Sequence, residues 1–202
     1  MRKIAVFASG YGSNFQSLID AEKNGKLAGN ISLLVSDKAN SFAIKRAEEN
    51  GIPFFTFEAK NYGSKEEYES IIVELLRKEK IDLIVLAGFM RIVGTTLLKA
   101  YANKIINLHP SLLPSFPGIN AIGQAYDYGV KITGVTVHFV DEGMDTGPII
   151  KQKSISVENE DTIDTLTEKI HRVEHELLLK TVNLIINNSV RVTDRKVIID
   201  KK

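Results

Sequence analysis

The sequence predicts a doubly wound α/β fold with a mostly parallel sheet, formed by a chain of 202 residues. Three features predict it: buried strands alternate with amphipathic helices, turn-forming residues follow the strands, and no linker or repeat interrupts the chain. Apolar residues make up 44% of the chain and charged residues 25%, which is typical of an ordinary globular protein. We therefore expect one domain over residues 1–202, with an N-terminal half near 1–100 and a C-terminal half near 101–202.

The first half of the chain predicts strands and helices in alternation. Residues 3–8 form a near-continuous apolar run, as expected for a strand buried on both faces of a parallel sheet. Ser64 and Glu67 have the spacing of a capping box, and the apolar stripe after them places Tyr68 in the core. Further strands are predicted over residues 31–35, 53–57 and 81–87, with helices after Ser13, over residues 41–50 and after Ser64.

The second half opens with a buried strand at Ile105 and predicts two more helices. Residues 133–140 alternate in polarity, with Val135 on one face and Thr136 and His138 on the other, so we expect a half-exposed strand. The following strand begins at Pro148. The helices are predicted over residues 121–128 and 160–187, and one or two short strands over residues 191–200.

Charge and composition exclude several classes of protein. Lys and Arg number 26 and Asp and Glu 25, so no basic field is available to recruit nucleic acid. The chain has no cysteine, which excludes disulfides, thiolate nucleophiles and cysteine-ligated zinc. Met1 leads directly into a strand and no apolar run reaches about 18 residues, so neither a signal peptide nor a membrane span is predicted. We expect a cytoplasmic protein.

A glycine-rich turn, SGYGSN over residues 9–14, follows the first strand and leads into apolar residues at helical spacing. Free N–H groups at a helix N-terminus attract anions, and glycines let the backbone approach a phosphate closely. Ser13 and Gln16 match a capping box for this helix, while the third glycine of the dinucleotide-binding pattern is absent. Two interpretations stay open: a phosphate site at Gly12, Ser13 and Asn14, or an ordinary strand–helix turn.

The stretch IINLHPSLLPSFPG, residues 105–118, is the leading candidate for chemistry. Its prolines fix φ and remove backbone donors, so it predicts a stiff loop at the carboxyl end of a strand, where open α/β sheets bind ligands. Asn107 can donate a hydrogen bond to an oxygen that becomes negative, and His109 can gain or lose a proton near neutral pH. The alternative is a structural loop with one capping Asn and one buried, hydrogen-bonded His.

Three other segments carry candidate ligand residues. GFMRI, residues 88–92, follows a central strand and either lines a pocket or covers the sheet. DEGMDTG, residues 141–147, is acidic, but its spacing does not fit an EF-hand, and Asp145 alone indicates a surface turn. HRVEH, residues 171–175, matches a zinc-protease pattern. Too little chain follows it to supply a third ligand, so no metal site is predicted.

NLHPSLLPSFPG from residue 107 and GVTVHFVDEGMDTGPII from residue 134 together resemble the 10-formyltetrahydrofolate-dependent formyltransferases. The resemblance covers nearly the whole chain and implies their Rossmann-like fold with a long C-terminal helix. Within this family the chain is most similar to the enzymes that formylate glycinamide ribonucleotide in purine synthesis. The resemblance therefore implies 10-formyltetrahydrofolate as co-substrate and no metal; a monomer and a weak homodimer are both compatible with it.

The resemblance also implies a role for individual residues. Formyl transfer to an amine passes through a tetrahedral oxyanion, so it needs a donor at the oxygen, a nearby cation and a carboxylate, here Asn107, His109 and Asp145. The other implied contacts divide by ligand. Those to the ribonucleotide are Gly12, Ser13, Asn14, Pro110 and Glu174, and those to the folate are Lys65, Met90, Arg91, Ile92, Val93, Val140, Asp141 and Glu142.

One stretch departs from the family pattern: Ile122 and Gly123 stand where polar side chains are common, a difference that bears on substrate affinity or specificity. For Glu174, a solvated helix face is the alternative to ribose binding. Three other functions stay open. Formyltetrahydrofolate hydrolases use the same trio with water as acceptor, methionyl-tRNA formyltransferases add a basic C-terminal domain, and a non-catalytic nucleotide-binding module could share the fold.

Overall fold

The computed structural model describes residues 1–200. By its internal contacts the chain divides into two compact units, Met1–Ile106 and Asn107–Lys202. No helix within residues 1–200 is long and apolar enough to cross a lipid bilayer.

The first unit alternates strands with helices, as the apolar runs predicted. Its strands are β1 (Lys3–Phe7), β2 (Asn30–Ser36), β3 (Phe54–Thr56) and β4 (Leu83–Leu86), and its helices are α1 (Ser13–Lys23), α2 (Phe42–Glu49), α3 (Lys65–Lys78) and α4 (Thr95–Ala100), with a 3-10 turn at Ala59–Asn61. All pairs are parallel, and β1 lies between β2 and β4. Each parallel pair needs a crossover, which the helices supply.

The core of the first unit is the apolar strand β1 and its neighbours. Ile4, Ala5 and Val6 have no exposed surface, and Tyr68 of α3 is only 4% exposed, so the prediction of a buried Tyr68 is confirmed. β1 is apolar on both faces because a central parallel strand is covered on both sides.

Two predicted capping boxes in the first unit differ from the observed helix starts. Ser13 and Gln16 do not form one, since α1 begins after Gly12 and the Gln16 side chain contacts Asp20 instead. Ser64 does cap α3, with its hydroxyl accepting from the N–H of Glu67 at 3.2 Å. The Glu67 carboxylate reaches back one residue further than predicted, to the N–H of Gly63. In both cases the capping pattern located the start of the helix, but it did not predict every hydrogen-bond partner of the capping side chains.

The second unit contains a long helix and two pairs of antiparallel strands. β5 (Ile105–His109) crosses the division between the units; then come α5 (Ala121–Tyr128), β6 (Ile132–Phe139), β7 (Ile149–Ser156), α6 (Ile163–Ile186), β8 (Val190–Thr193) and β9 (Lys196–Ile199). β6 and β7 pair antiparallel, as do β8 and β9. The larger sheet has seven strands in the order β3-β2-β1-β4-β5-β6-β7, which confirms the predicted mostly parallel fold with a long C-terminal helix.

Strand β6 contradicts the prediction of a half-exposed strand. All its residues after Ile132 are buried, with Thr136 at 0% and His138 at 2% exposure. The alternation in polarity reflects two different buried environments rather than one core face and one solvent face. Buried polar side chains are retained where hydrogen bonds satisfy them, and both residues have such bonds, described below.

Candidate active site

Asn107 and His109 on β5 both reach Asp145, which lies in the acidic loop between β6 and β7. The two β5 residues share a face because side chains two apart on a strand point the same way. Asp145 Oδ2 lies 3.4 Å from His109 Nδ1, and its Oδ1 accepts a hydrogen bond from Asn107 Nδ2 at 3.2 Å. These three side chains form one cluster within the second unit. The Asp145 side chain is only 12% exposed, so Asp145 is not part of an open surface turn.

His109 is 4% exposed, and each of its ring nitrogens faces an oxygen acceptor. Nε2 lies 2.8 Å from the carbonyl oxygen of Phe116 and donates to it, while Nδ1 faces the Asp145 carboxylate. Carbonyl and carboxylate oxygens only accept, so the ring donates in both directions only when both nitrogens carry hydrogen. The arrangement therefore suits an imidazolium ion held beside a carboxylate.

The charge of Asp145 is set by its surroundings. Burial by itself raises the pKa of Asp145, but the interaction with His138, the bond from the Gly118 N–H and the charges of His109 and His138 together hold that pKa below the ordinary 3.8. The Gly118 N–H donates to Oδ2 at 2.8 Å. A carboxylate with a lowered pKa is a weak base, so Asp145 is better suited to stabilising a neighbouring cation than to removing a proton outright.

His138 belongs to the same cluster, although sequence reasoning gave it no function. Its Nδ1 donates to the carbonyl oxygen of Phe139 at 2.8 Å, and its Nε2 lies 3.2 Å from Asn107 Nδ2 and 3.6 Å from Asp145 Oδ1. In the neutral ring, with its hydrogen on Nδ1, Nε2 accepts from Asn107; in the charged ring, Nε2 donates toward Asp145 instead. One hydrogen of Asn107 Nδ2 is directed at Asp145, and the other reaches His138 when that ring is neutral. The available sequence signal was a His within a mostly apolar strand.

The proline-rich loop after β5 is tied to the sheet through one hydroxyl. Thr136 Oγ1 donates to the carbonyl oxygen of Ser111 at 2.7 Å and accepts from the N–H of Leu113 at 3.1 Å and from Gln152 Nε2 at 3.0 Å. Ser111, itself fully buried, donates to the carbonyl oxygen of Ser115 at 2.5 Å. One donor and two acceptor positions are all a hydroxyl has, so Thr136 is fully used in holding this loop.

The glycine turn of the first unit has the features of an anion site. Gly12 caps α1 with φ of 71°, in the left-handed region, and within residues 1–200 no side chain caps the start of this helix. Arg46 of α2 supports the turn, since its Nε donates to the carbonyl oxygen of Tyr11 at 2.9 Å. Ser13 is half-buried and Asn14 is buried. The start of α1 at this turn therefore has the geometry that attracts anions in proteins.

Gly12→Ala is expected to weaken anion binding at this turn by about tenfold or more and to destabilise the fold by about 1–3 kcal/mol. A side chain at position 12 would adopt an unfavourable φ, and its Cβ would lie 3.0 Å from Cβ of Ala43. Calorimetric titration with ribose 5-phosphate and thermal unfolding measure the two effects. Gly10→Ala is the matched control, because its Cβ would meet nothing within 4 Å; equal affinity in both variants would contradict the assignment.

The GFMRI segment and the residue after it differ in the exposure of their side chains. Met90 and Ile92 are 67% and 58% exposed, whereas Val93 is buried, so the first two do not merely cover the sheet. The N–H of Met90 donates to Ser9 Oγ at 2.8 Å. Arg91 lies over the ring of Tyr68, and its guanidinium is 3.8 Å from a carboxylate oxygen of Asp37. The Arg91 side chain is therefore directed at protein groups, while Met90 and Ile92 remain available for contact.

Five further residues predicted to contact a ligand lie in the second unit: Pro110, Val140, Asp141, Glu142 and Glu174. Val140 and Asp141 are half-buried and Glu142 is exposed, and the Asp141 carboxylate accepts from the N–H of Gly143 and the hydroxyl of Thr146. Pro110 is half-buried beside His109 in sequence. Glu174 is 5% exposed, so a solvated helix face is the wrong interpretation for it.

Among residues 1–200 no group of three His, Asp or Glu side chains is arranged to hold a metal ion.

Comparison with known proteins identifies the family. A family model described as formyl transferase matches residues 2–182. The phosphoribosylglycinamide formyltransferase of Bacillus subtilis is 54% identical over 175 residues, which are 87% of this chain and 90% of that protein. A glycinamide ribonucleotide transformylase from Symbiobacterium toebii superimposes with a TM-score of 0.96 at 36% identity, covering 100% of this chain and 95% of that one.

A further solved structure belongs to a protein with a different name. A formyltetrahydrofolate deformylase from Pseudomonas syringae has a TM-score of 0.91 at 28% identity, covering 99% of this chain and 66% of that one. The chain belongs to the formyl transferase family, because the family model matches well over half of its length. The Bacillus subtilis relative is named a phosphoribosylglycinamide formyltransferase, and the Symbiobacterium toebii structure a glycinamide ribonucleotide transformylase.

Proposed function

We propose that the protein transfers the formyl group of 10-formyltetrahydrofolate to the amine of glycinamide ribonucleotide. The products are formylglycinamide ribonucleotide and tetrahydrofolate, in the synthesis of purines. The observation that carries this proposal is the cluster of half-buried Asn107, buried His109 and half-buried Asp145, which offers a donor, a group able to become cationic and a carboxylate, as formyl transfer needs. The 54% identity to a phosphoribosylglycinamide formyltransferase supports the choice of acceptor.

In the proposed reaction the acceptor amine attacks the formyl carbon, and the bond between that carbon and N10 of the folate breaks. The amine loses a proton and N10 gains one, so the reaction needs proton transfer but no oxidant. Protonated His109 and the Asn107 amide stabilise the oxyanion. Asn107 donates to that oxygen by giving up its bond to His138 or Asp145. The Asp145 carboxylate faces the His109 ring and relays the amine proton, through water if needed.

The other residues supply binding. Gly12, Ser13 and Asn14 would hold the ribonucleotide phosphate through the uncapped start of α1. Buried Glu174 would accept from the ribose hydroxyls, and Pro110 would line the acceptor site. The folate contacts proposed from the resemblance are Lys65, Met90, Arg91, Ile92, Val93, Val140, Asp141 and Glu142.

A hydrolase is the second candidate, and the similarity to a formyltetrahydrofolate deformylase favours including it. In that reaction water would replace the amine as nucleophile, with the same three side chains at the formyl group. A nucleotide-binding module without activity would not need a histidine held between a carboxylate and a carbonyl oxygen. We also propose a cytoplasmic protein that acts as a monomer or weak homodimer, with neither nucleic acid nor membrane as a partner.

The deciding experiment measures tetrahydrofolate released from 10-formyltetrahydrofolate with and without glycinamide ribonucleotide. Release that depends on the ribonucleotide is the expected result. Equal release without it would establish the hydrolase and overturn the proposed acceptor. No release in either tube would overturn both reactions.

A further inference from the structure

Glu69 of α3 is a buried acidic side chain to which the proposed reaction gives no part. It is 2% exposed, and both carboxylate oxygens accept from main-chain N–H groups of one nearby segment. Oε1 accepts from Gly94 at 2.6 Å and Oε2 from Leu97 at 3.3 Å. That segment continues directly from GFMRI, the stretch proposed to contact the folate.

Lys65, one helical turn before Glu69, contacts the same segment. Its Nζ donates to the carbonyl oxygen of Ile92 at 3.2 Å, and residues four apart on a helix share a face. Gly94 packs against both side chains: a Cβ there would lie 2.7 Å from Glu69 Oε2 and 2.7 Å from Lys65 Cδ. The pair, here called the α3 clasp, therefore holds Ile92, Gly94 and Leu97 through their main-chain atoms.

The clasp does more than cap the short helix α4. Glu69 does cap this helix from outside, since its oxygens accept from the N–H of Gly94, the N-cap residue, and from the N–H of Leu97 in the first turn. The Lys65 bond lies further upstream still, at Ile92. The contacts thus extend back into the exposed part of the segment, where Met90 and Ile92 lie.

Stability alone does not account for this carboxylate. Burial, only partly offset by the bonds from Gly94 and Leu97, raises the pKa of Glu69 above its ordinary 4.5. Between that value and the raised pKa the folded protein binds more protons than the unfolded chain, so stability falls as the pH rises through this window. The ionised form of Glu69 is therefore less favourable in the folded protein than in the unfolded chain, yet its two oxygens hold the main chain at Gly94 and Leu97.

We propose that Lys65 and Glu69 are positioning residues that fix the main chain of residues 90–94 for recognition of the folate ring system. The proposal rests on the proposed function in taking a reduced folate as the ligand of this segment. In this proposal Lys65 affects folate binding indirectly, through its hydrogen bond to the main-chain carbonyl oxygen of Ile92. A folate held by main-chain N–H and carbonyl groups depends on their position to within fractions of an ångström. Side chains that set this position control affinity without touching the ligand.

The test compares Glu69→Gln with Glu74→Gln, an exposed acidic residue of the same helix. Glu69→Gln keeps the size of the side chain and one acceptor oxygen but loses the charge and the second acceptor. We expect the KM for 10-formyltetrahydrofolate to rise about tenfold, since a charge-assisted bond is lost, while kcat and the KM for the ribonucleotide stay within about twofold. Glu74→Gln is expected to match the wild type.

Calorimetric binding of tetrahydrofolate separates this proposal from the proposed reaction, because it needs no turnover. Weaker binding in Glu69→Gln supports the clasp even if the acceptor proves wrong. Lys65→Met, which keeps the aliphatic stem, provides a second variant should Glu69→Gln not fold, and a several-fold loss of folate affinity is expected. Unchanged folate affinity in either folded variant, or no folate binding by the wild type, would overturn the proposal.

Discussion

His109→Ala is expected to lower kcat by about 10²–10⁴-fold while tetrahydrofolate still binds. The wild-type ring lies between the Phe116 carbonyl oxygen and the Asp145 carboxylate, so its removal takes away the positive charge at the oxyanion and the donor to the Phe116 carbonyl oxygen. Steady-state kinetics at saturating substrates measures kcat, and calorimetry measures folate affinity.

His109→Gln separates the charge of the ring from its structural bond. A glutamine amide can still donate to Phe116 but carries no charge. We expect this variant to recover stability relative to His109→Ala and to recover little of the turnover. Turnover close to that of the wild type in His109→Gln would show that no cation is needed at this position.

Asp145→Asn is expected to lower kcat by about 10²–10⁴-fold as well. The change keeps an oxygen that can accept from Gly118 but removes the charge that faces His109 and His138. Without it, the imidazolium form of His109 loses its partner. The exposed Asp127 of α5 provides the matched control, Asp127→Asn, for which wild-type turnover is expected.

The same variant is expected to change how stability depends on pH. Because the folded-state pKa of Asp145 is lowered, its charge contributes stability above the unfolded pKa near 3.8 that is lost as the pH falls through the lower folded-state pKa. Urea unfolding of Asp145→Asn should therefore show lower stability at pH 7 and a shallower loss in acid. Parallel pH profiles for Asp145→Asn and the wild type would contradict the proposed ionisation.

Helices were predictable from the sequence where their pattern depends on residues that are close together in the chain. Helix α5 begins and ends where the sequence placed it, at Ala121 and Tyr128. Helix α6 begins at Ile163 rather than near residue 160, because Thr162 caps it and exchanges bonds with Thr165. Such pairs of capping bonds fix a boundary that apolar periodicity leaves open by a turn.

The candidate site was predictable only in part, for a different physical reason. The stretch around Asn107 and His109 stands out locally, as prolines and polar residues follow an apolar strand. Asp145 lies 38 residues after Asn107, and nothing in its own neighbourhood distinguishes it from a turn, so the resemblance to a family supplied it. His138 was missed because alternation along β6 looks the same whether the second face meets solvent or a buried polar cluster.

The hydrogen bonds of the Thr136 hydroxyl restrict the motion of the proline-rich loop after β5. Loops commonly move on nanosecond to microsecond timescales because few bonds hold them. Here the main chain at Ser111 and Leu113 is joined through Thr136 to Gln152 of β7. The loop after His109 therefore cannot open without breaking bonds that belong to two strands, and its opening is coupled to the slower local unfolding of the β6–β7 pair.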